Sequence, residues 1–167
     1  MKKLLFCLLI AAVLVGLSCK TAPAENVSGV EEELFQQMVD DILKQIQDTH
    51  QPKLDMSGSV NYTVVWGDTL SKIARRYYGG LANVGEAGPL NGFYFPIIML
   101  ASPDSHIMDP DLIYPGLQLK IIDLEKNLAN PEAHQAIKDS LMEIAHVYQT
   151  KNKLVEEAGL VRLSNSL

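Results

Sequence analysis

Cysteine is nearly missing from this sequence: of 167 residues only Cys7 and Cys19 carry a thiol, and both fall within the first nineteen. Neither a disulfide framework nor a cysteine-based zinc site can be built in the remainder. Basic residues are also scarce, 14 Lys and Arg against 20 Asp and Glu, which gives a net charge of −6 and a pI near 5.1. With no positive field to collect phosphates, nucleic acid is excluded as a partner. No G-x-S-x-G elbow, H-E-x-x-H helix or phosphate-cradling glycine loop occurs. His50, His106, His134 and His146 are scattered, and the last two, twelve residues apart on one expected helix, lie about 120° apart around its axis and make no facing metal pair. The acids Glu31, Glu32, Glu33, Asp40 and Asp41 read as the solvated face of a helix start. No catalytic set, metal site or cofactor is expected, which leaves binding as the expected activity. What is present is a globular balance, 47% hydrophobic and 20% charged, in a length suited to one domain with attachments.

The N-terminus departs from that average. Lys2 and Lys3 precede an uncharged apolar stretch, Leu4 to Leu17, which has the form of a secretory signal and is short for a membrane span. Ser18-Cys19 closes it in a way that resembles a bacterial lipoprotein signal, with residues 1–18 removed and Cys19 lipidated. Leu17 stands two residues before the cysteine, whereas the usual pattern puts the leucine three before. Ala22-Pro23-Ala24 offers an ordinary cleavage site instead. Removing residues 1–18 lowers the net charge from −6 to −8. An exported protein of the periplasm or cell envelope, lipid-anchored through Cys19, is the expectation.

Residues 19–27 read as a tether. Ser28-x-x-Glu31 is a capping-box pattern opening an amphipathic helix over 28–50, in which Leu34, Met38, Ile42 and Ile46 recur every four residues beside Phe35, Val39 and Leu43. Residues 51–60 read as a linker. Asn130-Pro131-Glu132 opens a second amphipathic helix over 130–159, with Gly159 as its stop and a frayed or lightly packed tail beyond. Such long apolar stripes need a partner, which can be each other, the middle of the chain, another protein or a second copy.

Between the helices, 61–123 reads as strand, helix, helix, strand. Asn61 to Trp66 favours strand, and Asp68 or Thr69 caps a helix with Leu70, Ile73, Ala74 and Tyr77 on its apolar face. A second helix begins near Pro96. Tyr114-Pro115-Gly116 then turns into the alternating Leu117, Leu119 and Ile121.

The blocks YTVVWGDTLSKIARRYYG (62–79) and DPDLIYPGLQLKI (109–121) closely resemble the LysM domain, a carbohydrate-binding module. The resemblance implies a βααβ fold of class α+β, a two-stranded antiparallel sheet with two helices on one face. It also implies binding of peptidoglycan or chitin-like glycans through N-acetylglucosamine, in a shallow groove between the turn after the first strand and the loop before the last. Carried over by position, the glycan-binding candidates are Gly67, Asp68, Thr69 and Leu70, with Met108, Asp109, Pro110, Leu112 and Ile113 from the second loop. Asp68 and Thr69 also read as helix caps, and Leu70, Ile113 and Tyr114 as packing residues. Two features depart from the family: Ser102 stands where an Asn often follows the second helix, in a loop about one residue longer than usual, and the inter-helix connection, 80–95, is extended. Its Phe93-Tyr94-Phe95 cluster either anchors a long loop on the core or forms a specificity loop. The rival expectation is an envelope scaffold whose helices and 80–95 loop bind a protein.

Overall fold

The computed structural model describes residues 27–79, 88–105, 107 and 109–167. The chain divides into two units, Met1–Leu34 and Phe35–Leu167. Of the first, residues 27–34 are described, the opening of helix α1, Val27–His50. The expected signal, its cleavage sites, Cys19 and most of the tether lie outside the described residues, as do Met108 and 80–87 of the extended connection.

The second unit is α+β. Strand β1 (Val60–Thr63) pairs antiparallel with β2 (Gln118–Ile121), Val60 opposite Ile121 and Thr63 opposite Gln118. Alternation along β2 explains the register: Leu119 and Ile121 turn into the core while Gln118 stays wet. Helices α2 (Leu70–Tyr78) and α3 (Phe95–Ala101) lie between the strands in sequence, giving the βααβ order. All seven residues of α3 are buried, so it is the central element of the core. β1 is shorter than the stretch 61–66 suggests, because the chain turns at Val65, whose amide is taken by the Asp68 carboxylate.

On α2 the buried residues are Leu70, Ile73, Ala74 and Tyr78, and Tyr77, expected on that face, is 38% exposed. Tyr77 meets the outer strand, edge-on to Tyr62 at 5.7 Å, whereas Tyr78 reaches inward to Tyr94 at 5.9 Å. On α1 the buried line is Val39, Leu43, Ile46 and His50, while Met38 and Ile42 are exposed. Two interactions fix that rotation: Gln47 Nε2 donates to Met99 O at 2.9 Å, and His50 Nε2 lies 2.9 Å from Glu143 Oε2.

Within the stretch read as a linker, 51–60, Asp55 and Ser57 are fastened to a later helix. Asn127, fully buried on α4 (Leu124–Ala129), accepts from Asp55 N and donates to Asp55 O and Asp123 O at 2.8 to 3.0 Å. Beside it Lys126 Nζ lies 2.7 Å from Asp55 Oδ2, and the Lys126 and Ser57 hydrogen bonds hold the Asp55 carboxyl far below the usual range.

The single helix expected over 130–159 is two, α5 (Pro131–Thr150) and α6 (Leu154–Ser166). Asn130 caps α5 as its side chain suggests, accepting from Glu132 N and Ala133 N. The break falls at Asn152, whose φ of 55° is a left-handed turn that Asn tolerates. Gly159, expected as a stop, lies inside α6. A Cβ there would stand 2.2 Å from Phe93 Cζ, so the glycine serves close packing. Leu160 and Leu163 are fully buried, so of the two expectations for the tail it is packing, and not fraying, that the structure shows. One continuous core joins Val39 and Ile46 of α1, Ile98 of α3, Leu119 of β2, Ile144 of α5 and Leu163 of α6.

Candidate functional site

Two loops meet beside the N-terminus of α2. The first is a tight turn, closed by Asp68 N donating to Val65 O at 3.2 Å, with Gly67 at φ +85°, where a side chain would be strained. Trp66 stands at its corner, 90% exposed. Asp68 staples the turn from within: its Oδ2 accepts from Tyr62 Oη at 2.6 Å and from Val65 N at 3.0 Å. Arg76 completes the network, donating to Tyr62 Oη at 2.8 Å with Nη2 3.6 Å from Asp68 Oδ1. Desolvation alone would raise the Asp68 pKa, since only 5% of its side chain is exposed, but the Tyr62 and Val65 hydrogen bonds and the Arg76 charge outweigh it and hold the carboxyl below its usual range. The same hydrogen bond pushes the Tyr62 phenol up. Thr69, not Asp68, is the cap of α2, accepting from Lys72 N at 3.2 Å, and Lys72 Nζ reaches back to Gly67 O at 2.8 Å.

The second loop runs from Ser102 to Gly116. Ser102 is buried, and its hydroxyl accepts from Lys120 N at 2.8 Å, so the residue in the family's Asn position ties the loop to β2. Asp109 folds the middle, with Oδ1 accepting from Asp111 N and O from Leu112 N, both at 2.9 Å. The Tyr114-Pro115-Gly116 turn closes on Leu117, with Gly116 at φ +94°, and Gly116 N donates to Val64 O.

Together the loops bound a groove of about 280 Å³. Asp68, Thr69, Leu70 and Ser71 form one side; Pro110, Asp111 and Ile113 form another. Of the residues expected there, Gly67 shapes the turn without lining the groove, and Asp109 points its carboxylate to Lys151 Nζ, 3.5 Å away. Leu112 lines a different hollow, of about 430 Å³, along β2 with Ser102, Ser105 and Tyr114. Met108 lies outside the described residues. Besides Ser71 and Asp111, which adjoin candidates in the two loops, five lining residues had no assigned place at the site: Phe93, Phe95, Tyr148, Val155 and Glu156. The aromatic cluster at 93–95 was the available signal for the first two. Nothing local marks the other three, which arrive only because α5 and α6 fold back.

Residues 62–121 match the family model of the LysM domain. This segment is a LysM domain. Its match begins at Tyr62 and ends at Ile121, so it takes in the second half of β1, all of β2, both helices and both loops. No curated protein and no solved structure matches the chain. A LysM domain is a binding module for peptidoglycan and chitin-type glycans, found in extracellular and cell-envelope proteins. The groove's chemistry suits that ligand class: apolar Pro110 and Ile113 can meet sugar faces and an acetamide methyl, with polar groups of the turn and cap at the edge, while Leu70 is buried beneath them.

Proposed function

We propose that this chain is a non-catalytic protein of the bacterial cell envelope that holds peptidoglycan through N-acetylglucosamine units bound in the LysM groove. The observation that carries the reading is the meeting of Asp68, Thr69 and Leu70 with Pro110 and Ile113 around one groove inside the segment that matches the family. Of the candidates carried over from the family, Thr69, Pro110 and Ile113 are the proposed sugar contacts, while Gly67, Asp68 and Asp109 set the shape of the two loops and Leu70, 1% exposed, packs in the core beneath the groove. The apolar stretch closed by Ser18-Cys19 supports export and a lipid anchor at Cys19. One shallow site binds weakly, and an anchor compensates by holding it at high effective concentration near the wall.

The test is co-sedimentation of the full chain, in mild detergent, with purified peptidoglycan sacculi. The expected result is pelleting that soluble N-acetylglucosamine oligomers compete away and that Ile113→Asp abolishes. A chain that stays in the supernatant while another LysM domain pellets would overturn the reading. The second reading, a scaffold that binds protein, draws support from exposed Met38 and Ile42 on α1, and predicts partner binding that Ile113→Asp leaves intact.

A further inference from the structure

The groove has a side that the LysM segment does not supply. Tyr148 of α5 and Val155 and Glu156 of the first turn of α6 line it together with Phe93. These three helix residues lie beyond the matched segment, which ends at Ile121.

The corner that carries them is held to the second sugar loop. Lys151 Nζ lies 3.5 Å from Asp109 Oδ2, and Lys153 pairs with Asp111. Lys153 Nζ also stands 5.6 Å from the centroid of the Tyr148 ring, and Phe95 packs edge-on to that ring at 5.8 Å. From the other direction Phe93 fits against α6 at Gly159, whose missing side chain makes room for it. Loop, corner and aromatic cluster are thereby one assembly.

Its chemistry differs from that of the other two sides. Val155 is 76% exposed, an apolar side chain left in water at the groove's edge, next to the Glu156 carboxylate. Lys153 is engaged with Asp111, and among the described residues no cation pairs with Glu156. The wall therefore offers apolar contact with a negative charge beside it.

We propose that α5 and α6 form a third wall of the groove, which seats an uncharged N-acetylhexosamine against Phe93 and Val155, and that Glu156 turns away a sugar bearing a carboxylate at that place. The inference rests on the glycan-binding reading and deepens it. In a polymer that alternates neutral with acid-bearing sugars, such a wall fixes which sugar sits there and so sets the register of the bound strand.

Both decisive side chains reach solvent, so they can be changed without opening the core. The experiment titrates the ¹⁵N-labelled full chain, in mild detergent, with an N-acetylglucosamine tetramer and with a tetrasaccharide in which N-acetylglucosamine alternates with N-acetylmuramic acid bearing a free lactyl carboxylate. The amides of Val155 and Glu156 are expected to shift along with those of Thr69 and Leu70, and the neutral tetramer to bind about threefold or more tighter, as a single like-charge contact in reach of solvent would give. Glu156→Gln should close most of that gap with little change for the neutral tetramer. Val155→Ser should weaken both ligands by about threefold, the loss of one apolar contact. If Thr69 and Leu70 shift while 155 and 156 stay silent and both variants bind as the parent does, the wall is overturned and the groove stands. If neither tetrasaccharide moves the loop amides, the glycan reading itself fails and the wall fails with it.

Discussion

Asp68 illustrates how a residue of a candidate site can be committed to the shape of its own turn. Its carboxylate is taken up by Tyr62, Val65 and Arg76, which leaves Thr69 at the groove's edge. Asp68→Ala strands the Tyr62 hydroxyl and the Val65 amide and is expected to cost about 1–3 kcal/mol at neutral pH, while Asp68→Asn, which keeps an acceptor, costs less. Because the folded pKa lies below the unfolded 3.8, the charged form's contribution is present above that value and is lost as pH falls through the lower folded one. Urea unfolding of parent and Asp68→Ala at pH 7 and at acid pH should show the difference in stability shrinking in acid. The residue types at Gly67 to Leu70 and at Tyr114 to Gly116 were legible in the sequence because turns and caps are decided within a few residues. The division of labour between Asp68 and Thr69 was not, since Tyr62 and Arg76 approach from a strand and a later helical turn.

Elements were legible where their signal is local and misread where a distant surface decides. The α5 cap at Asn130 and the alternation of β2 follow from neighbouring residues. The buried line of α1 at Val39, Leu43, Ile46 and His50, in place of the four-residue repeat through Met38 and Ile42, depends on Met99 and Glu143. Gly159 read as a helix end because glycine weakens helices, but here packing against Phe93 sets its identity. In an open helix Gly→Ala stabilises by about 0.5–1 kcal/mol; at Gly159 the crowding of Phe93 should reverse the sign and cost about 1–3 kcal/mol. Thermal unfolding of Gly159→Ala should give a lower midpoint than the parent. The same substitution in a Phe93→Ala background should be neutral or stabilising, and a loss of equal size in both backgrounds would show that Phe93 is not the cause.

For the unit Phe35–Leu167, the LysM segment and its flanks share one core. Residues 62–121 were recognisable from their own motifs, yet Phe95 packs on Tyr148 and Met99 takes a hydrogen bond from Gln47, both outside the segment. Deprived of those partners, 62–121 alone exposes several apolar side chains worth about 1.5–3 kcal/mol each. Its urea midpoint is expected well below that of the whole chain; equal midpoints would mean that the flanks are accessories. The ladder adds a mechanical consequence. Val60 and Ile121 are paired at the same end of the sheet, so both flanks leave there, and tension between those two residues would peel the strands apart pair by pair. Force arriving from the N-terminal side meets other joints first: Gln47 on Met99, His50 beside Glu143, and Asp55 clasped by Asn127. These act as strain relief, in the way a cable is clamped ahead of its solder joint, and let the two loops around the groove keep their shape while the chain is under load.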